Sequence, residues 1–231
     1  MKNVLSLMVT IVVLMVLSVG SVYALPVSQG DTVHFTGVSY GLTNQGNYTW
    51  VNDTQGTVFS TFCLELNENI YLNEEVFVAD VSNAAYNGGV SGGGPNGDPI
   101  SDSTRWLMSE FLRGNDIGSL SSSYLHNNYG IHSLQNAFWF LEGEINSVYG
   151  NANQLYLSSL NAKTSGVFAT YDFYDVAVMN IVGQSVCDTG LKDFRQSQLV
   201  GSAPAPVPEP ASLVLMGIGL VGLGVVRKFK K

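Results

Sequence analysis

The chain has 231 residues, a formal net charge of −8 and only 12% charged residues. Between residues 25 and 206, five Lys and Arg face seventeen Asp and Glu, a balance of −12 that argues against nucleic acid and anionic membrane surfaces as partners. The acidity is compatible with divalent cations, with cationic surfaces, or simply with solubility.

In chain order, Lys2 precedes an apolar stretch from Val4 to about Val19, and Val22-Tyr23-Ala24 offers the small-residue pattern of a signal-peptidase site. Residues 1–24 therefore read as a signal peptide. The region from Leu25 to Leu199, extended to residue 200 as the ectodomain, is long enough for one domain with a sizeable core. Its first half reads as strands over Asp31–Tyr40, Thr57–Leu66 and Glu75–Ala79, from β-branched and aromatic residues in loose alternation. Asn87–Pro99 contains six glycines and two prolines and reads as a loop. Ser101 or Asp102 can cap a helix that runs to Arg113 and stops at Gly114. A second helix is expected after Ser133, because Leu134, Ala137, Phe138 and Leu141 fall at i, i+3, i+4 and i+7. A weaker helical segment covers Asn153–Ala162, and strands return at Phe173–Val186 and Asp193–Val200. Strands around a central helical block predict an α+β domain, a β-rich barrel or sandwich with a helical insertion.

The end of the chain carries the sharpest motif. After a linker at 201–206, Pro208-Glu209-Pro210 stays extended and free of sheet pairing, available as a strand-like substrate. The uncharged run Ala211–Val226 is shorter than the ~20 residues that span a bilayer comfortably. Arg227 and Lys228 open a basic tail that the positive-inside rule keeps in the cytoplasm. These features suit a provisional membrane hold, a transient insertion of a precursor, better than a permanent anchor.

Residues 207–231 resemble the PEP-CTERM sorting signal of Gram-negative bacteria: the triplet, a Gly-containing apolar stretch and a basic cluster, in that order. The resemblance implies recognition by an exosortase after signal peptidase has acted. It also implies removal of the tail and export to the cell surface or extracellular matrix, often alongside exopolysaccharide.

Two cysteines occur, Cys63 and Cys187, and in an oxidising compartment the default is a Cys63–Cys187 disulfide. Closing so long a loop stabilises by ~4–5 kcal/mol on the chain-entropy account. The neighbourhood of Cys63 offers a rival. Thr61-Phe62-Cys63-Leu64-Glu65 and Leu134-Gln135-Asn136-Ala137-Phe138-Trp139 together resemble the paired motifs of bacterial thioester domains. Carried over, Cys63 would supply the sulfur and Gln135 the acyl carbon of an internal thioester, with Phe62, Phe138 and Trp139 shielding it from water. Such domains act as covalent adhesins that a target amine opens. Leu134 stands where some members have Thr, and Cys187 has no role in that scheme.

Other signals are faint. His34, His126 and His132 lack metal-ligand spacing, and the latter two read as loop residues before the second helix. Gly92–Asp98 lacks the acidic register of calcium-binding glycine loops. Glu142 and Glu144 read as solvated charges at a helix end. No catalytic triad, phosphate loop, metal site or cofactor motif is visible, so conventional enzyme activity is not expected and a secreted hydrolase is a distant option. Two functional classes stand: a covalent adhesin directed at surface amines, and a non-catalytic structural or carbohydrate-binding matrix protein holding extracellular polysaccharide, with a disulfide.

Overall fold

The computed structural model describes residues 24–42, 45–90, 97–173, 176–183 and 193–202. Its elements are β1 (Thr32–Leu42), β2 (Gln45–Asn52), β3 (Thr57–Cys63), β4 (Glu75–Ser82), β5 (Ala84–Ala85) and β6 (Asp98–Pro99). Helices α1 (Asp102–Arg113), α2 (Ser122–Leu125), α3 (Asn128–Leu141) and α4 (Gly150–Thr164) follow, then β7 (Ala177–Gly183) and β8 (Gln198–Val200). Six strands close an antiparallel barrel in the order β1-β2-β3-β8-β7-β4, with β4 returning to β1. The four helices are inserted between β6 and β7, which makes the fold α+β as expected.

The pleat explains why the strands form a barrel. Val33 and Phe35, Tyr48 and Trp50, Phe59 and Cys63, Val76 and Val78, Met179 and Ile181, and Val200 belong to one buried cluster. Alternate residues of all six strands thus meet on one face, and that face lines the barrel. The intervening residues, among them Phe62, Val178 and Leu199, join a second cluster with Leu107, Phe111, Leu134, Phe138 and Leu155 of the helices. Phe62 and Phe138 are 1% and 0% exposed, and each contributes roughly 1.5–3 kcal/mol by burial. Gly37 sits at a register shift in the β1–β2 ladder at φ +153°, a bulge that bends the hairpin into the curve.

Helix α1 follows the sequence signals. The Ser101 hydroxyl accepts the Thr104 N–H, and Gly114 at φ +68° returns its own N–H to the carbonyls of Glu110 and Phe111. Helix α3 starts earlier than expected. Asn127, not Ser133, is its N-cap, because the Asn127 carboxamide oxygen accepts both the Tyr129 and Gly130 N–H groups, at 2.9 and 3.0 Å. Ser133 lies inside the helix and donates back to the Tyr129 carbonyl at 2.8 Å. His132 is therefore helical and His126 caps α2, rather than both lying in a loop. Glu142 and Glu144 are likewise not solvated charges. Glu142 accepts from Ser101 and Thr104 at the start of α1, and Glu144, 5% exposed, accepts the Leu66 N–H at 2.7 Å and the Val90 N–H at 2.8 Å.

A buried cysteine and glutamine as the candidate functional site

β3 ends at Cys63, and the ladder explains what surrounds it. The Leu64 N–H donates across to the Ser197 carbonyl on the β8 side, at 3.1 Å. One residue earlier, the Cys63 N–H and carbonyl face the other way, where the β2–β3 ladder has already ended at the Tyr48–Thr61 pair. Gln135 takes the place of the missing strand. Its Oε1 accepts the Cys63 N–H at 3.0 Å, and its Nε2 donates to the Cys63 carbonyl at 2.7 Å. Both residues are 0% exposed.

The sulfur points elsewhere. Cys63 is a free thiol that donates to Gln196 Oε1 at 2.7 Å, while Gln198 Nε2 stands 3.5 Å from Sγ and the Tyr48 hydroxyl also bonds it. Burial pushes the thiol up to about 12, against the opposing pull of Tyr48 and Gln198. At neutral pH the sulfur therefore keeps its proton. Burial also lifts Tyr48 above the ordinary phenol range, so its hydroxyl remains a donor. Gln198 is fixed in turn by Thr61, whose hydroxyl donates to Gln198 Oε1 at 2.8 Å and accepts the Trp50 indole N–H at 3.0 Å. Gln196 Nε2 donates to the Glu65 carbonyl.

The structure thus brings Cys63 and Gln135 together through the cysteine backbone and gives the thiol to Gln196. Of the three rings expected around the pair, Trp139 shares the barrel cluster with Cys63 and is 3% exposed. Phe62 and Phe138 pack edge-to-face on the helical side, their centroids 5.0 Å apart. Cys187, with the disulfide expected of it, lies outside the described residues, as do Pro208, Glu209, Pro210, Arg227 and Lys228. Tyr48, Gln196 and Gln198 belong to none of the sequence motifs described above. Gln196 and Gln198, two amides at i and i+2 on a strand continuing into Leu199 and Val200, were the available signal.

Glu65 is 1% exposed and accepts the Gly88 N–H at 2.9 Å and the Ser197 N–H at 2.8 Å, tying the loop after β5 to β8. Among the described residues, no group of three or more His, Cys, Asp or Glu is placed to hold a metal. Nor is any described helix long and apolar enough to cross a membrane.

This geometry defines an α+β barrel domain with a buried cysteine held by a glutamine side chain. Residues 206–228 match the PEP-CTERM protein-sorting motif. That motif implies an exported protein, processed by exosortase and sorted to the surface of a Gram-negative cell. No curated protein and no solved structure matches the chain significantly.

Proposed function

We propose that this exported protein is a covalent adhesin whose electrophile is an internal thioester between Cys63 and Gln135. One observation carries the reading: the Gln135 side chain hydrogen-bonds the backbone of Cys63, 72 residues away, and both residues are without solvent exposure. In forming the bond, the Cys63 S–H and the Gln135 carboxamide join as S–C(=O) and release one ammonia. A target amine then attacks the acyl carbon, its C–N bond forms as the C–S bond breaks, and the proton it loses ends on sulfur. Tyr48 and Gln198 donate to that departing sulfur, which otherwise leaves poorly from so apolar a site. Burial supports the same scheme, since a thioester persists only where water is kept out.

A second reading is favoured by the Sγ contact with Gln196. In it Gln135 only completes a strand ladder, and the chain is a structural or carbohydrate-binding matrix protein with no reactive bond. Incubation of the mature exported protein with a small primary amine separates the two. The adhesin gains one amine at Gln135 and one alkylatable thiol at Cys63, and loses both responses in Cys63→Ala and in Gln135→Ala but not in Cys187→Ala. A wild-type protein that takes up no amine leaves the matrix reading in place.

A further inference from the structure

A pocket of about 240 Å³ lies between α3 and the start of α4, with His132, Ser133 and Asn136 on one side and Ser147, Tyr149 and Ala152 on the other. None of its lining residues is Lys, Arg, Asp or Glu among the described residues. Its polar wall is held in place by bonds within the protein. Asn136 Nδ2 donates to the His132 carbonyl at 2.8 Å and to His132 Nε2 at 3.1 Å, which leaves Asn136 Oδ1 as a fixed acceptor. Ser133 is locked by a chain of three bonds. Asn151 Nδ2 donates to the Tyr124 hydroxyl at 2.6 Å, that hydroxyl donates to Ser133 Oγ at 3.2 Å, and Ser133 donates to the Tyr129 carbonyl at 2.8 Å. Groups fixed before binding lose little entropy when a ligand arrives.

The lip of the pocket is aromatic. Tyr149 is 80% exposed, a large exposure for a ring whose apolar faces favour contact with a partner. It stands at the N-cap of α4, yet its side chain makes no capping bond, so the helix does not depend on it. The same missing cap leaves the first N–H groups of α4 as donors beside Tyr149 and Ala152. Tyr129, 67% exposed, falls with Ser133 and Asn136 at i, i+4 and i+7 on α3, which puts a second open ring one turn before the pocket.

An ionic ligand would find no opposite charge on this lining, and a wholly apolar one would desolvate the hydroxyls and the amide without replacing their water. A sugar ring suits both halves, with a C–H face for the tyrosine and hydroxyls for the fixed amide, Ser147 and the helix donors. The volume is below the ~300–1,000 Å³ of sites for drug-sized ligands, so the pocket takes a single ring. The acidic excess of the exported region disfavours anionic sugars. We propose that this pocket binds one neutral pyranose unit, free or as part of a polysaccharide, with Tyr149 against a ring face and Asn136 and Ser147 on its hydroxyls. The inference rests on the carbohydrate-binding reading and gives it a site, and the binding requires no thioester.

The test titrates the mature protein by NMR with the methyl glycosides of glucose, galactose and mannose, with methyl glucuronide as the charged comparison, and with cellotetraose. At least one neutral glycoside should shift the Asn136 side-chain amide and the Tyr149 backbone amide, and bind about tenfold tighter than the glucuronide. Cellotetraose binding tighter than methyl glucoside assigns the site to a polysaccharide, and equal affinity assigns it to a free sugar. Tyr149→Ala and Asn136→Ala should each weaken binding about tenfold while circular dichroism stays unchanged, and Tyr149→Phe should keep it within about twofold. Saturable binding by none of the neutral ligands, a preference for the glucuronide, or binding untouched by Tyr149→Ala overturns the assignment. Such a failure leaves a matrix role through another surface intact, and ammonia loss and amine uptake read the thioester separately.

Discussion

The Gln135 carboxamide closes a two-bond ring on the backbone of Cys63, standing where the next residue pair of β2 and β3 would have been. A buried strand end is thereby satisfied by a side chain from a helix, and α3 is locked to the barrel at the residue that carries the thiol. The same contact brings Gln135 to the residue that carries the thiol, while the sulfur itself bonds Gln196.

Gln135→Ala removes both partners and leaves a buried N–H and carbonyl unpaired. The substitution should cost about 2–4 kcal/mol in a denaturant titration. The conservative Gln135→Glu keeps an acceptor but loses the donor to the Cys63 carbonyl, and should not restore stability. A Gln135→Ala protein as stable as wild type contradicts the ladder geometry.

Much of this architecture is legible in the sequence, for local reasons. The strands at β1, β3 and β4 announce themselves through β-branched and aromatic residues, and α1 through Ser101 and Gly114, each acting within a few residues. β2 escaped because Gln45, Gly46, Asn47 and Asn52 have low strand propensity, and only pairing with β1 and β3 makes them a strand. The start of α3 escaped because Ser133 and Asn127 are equally good caps in isolation, and Asn127 prevails by satisfying two N–H groups at once. Cys63 and Gln135 could be picked out by their motifs. The partners of the sulfur could not, since Gln196 lies 133 residues from Cys63 and reaches it only through the closure of β8 on β3. Glu144 looked solvated because its two N–H donors come from Leu66 and Val90, far away in sequence.

Glu68 predicts a pH dependence with a definite sign. Its carboxyl ionises near 4.5 in the unfolded chain and at about 7 in the fold, mainly through burial, with Glu65 and Glu144 facing it and Asn87 opposing. Between those values the folded state binds more protons, so this group's contribution is full below the unfolded pKa and is lost as pH rises through about 7. Comparison of the melting temperatures of wild type and Glu68→Gln from about pH 5 to about pH 8 isolates it from Glu142, which burial shifts in the same direction. The wild type should lose ground to the variant as pH rises, and parallel curves contradict the prediction.

Sorting is tested at the other end of the chain. The mature protein from its native host should lack residues beyond about Pro208-Glu209-Pro210, within the matched motif at 206–228. Glu209→Ala should accumulate as unprocessed, membrane-held precursor. Peptide mapping that finds mature wild-type protein extending to Lys231 contradicts processing at this motif.

The measurement that bears most directly on the account is the intact mass of the mature exported protein, taken under denaturing, non-reducing conditions without added amine. An internal thioester between Cys63 and Gln135 predicts a mass lower than the sequence of the mature chain by one ammonia, returning by one water on mild alkaline hydrolysis and leaving glutamate at position 135. The deficit should vanish in Cys63→Ala and in Gln135→Ala. A wild-type mass equal to the unmodified sequence, or lower by two hydrogens with Cys63 linked to Cys187, contradicts the thioester.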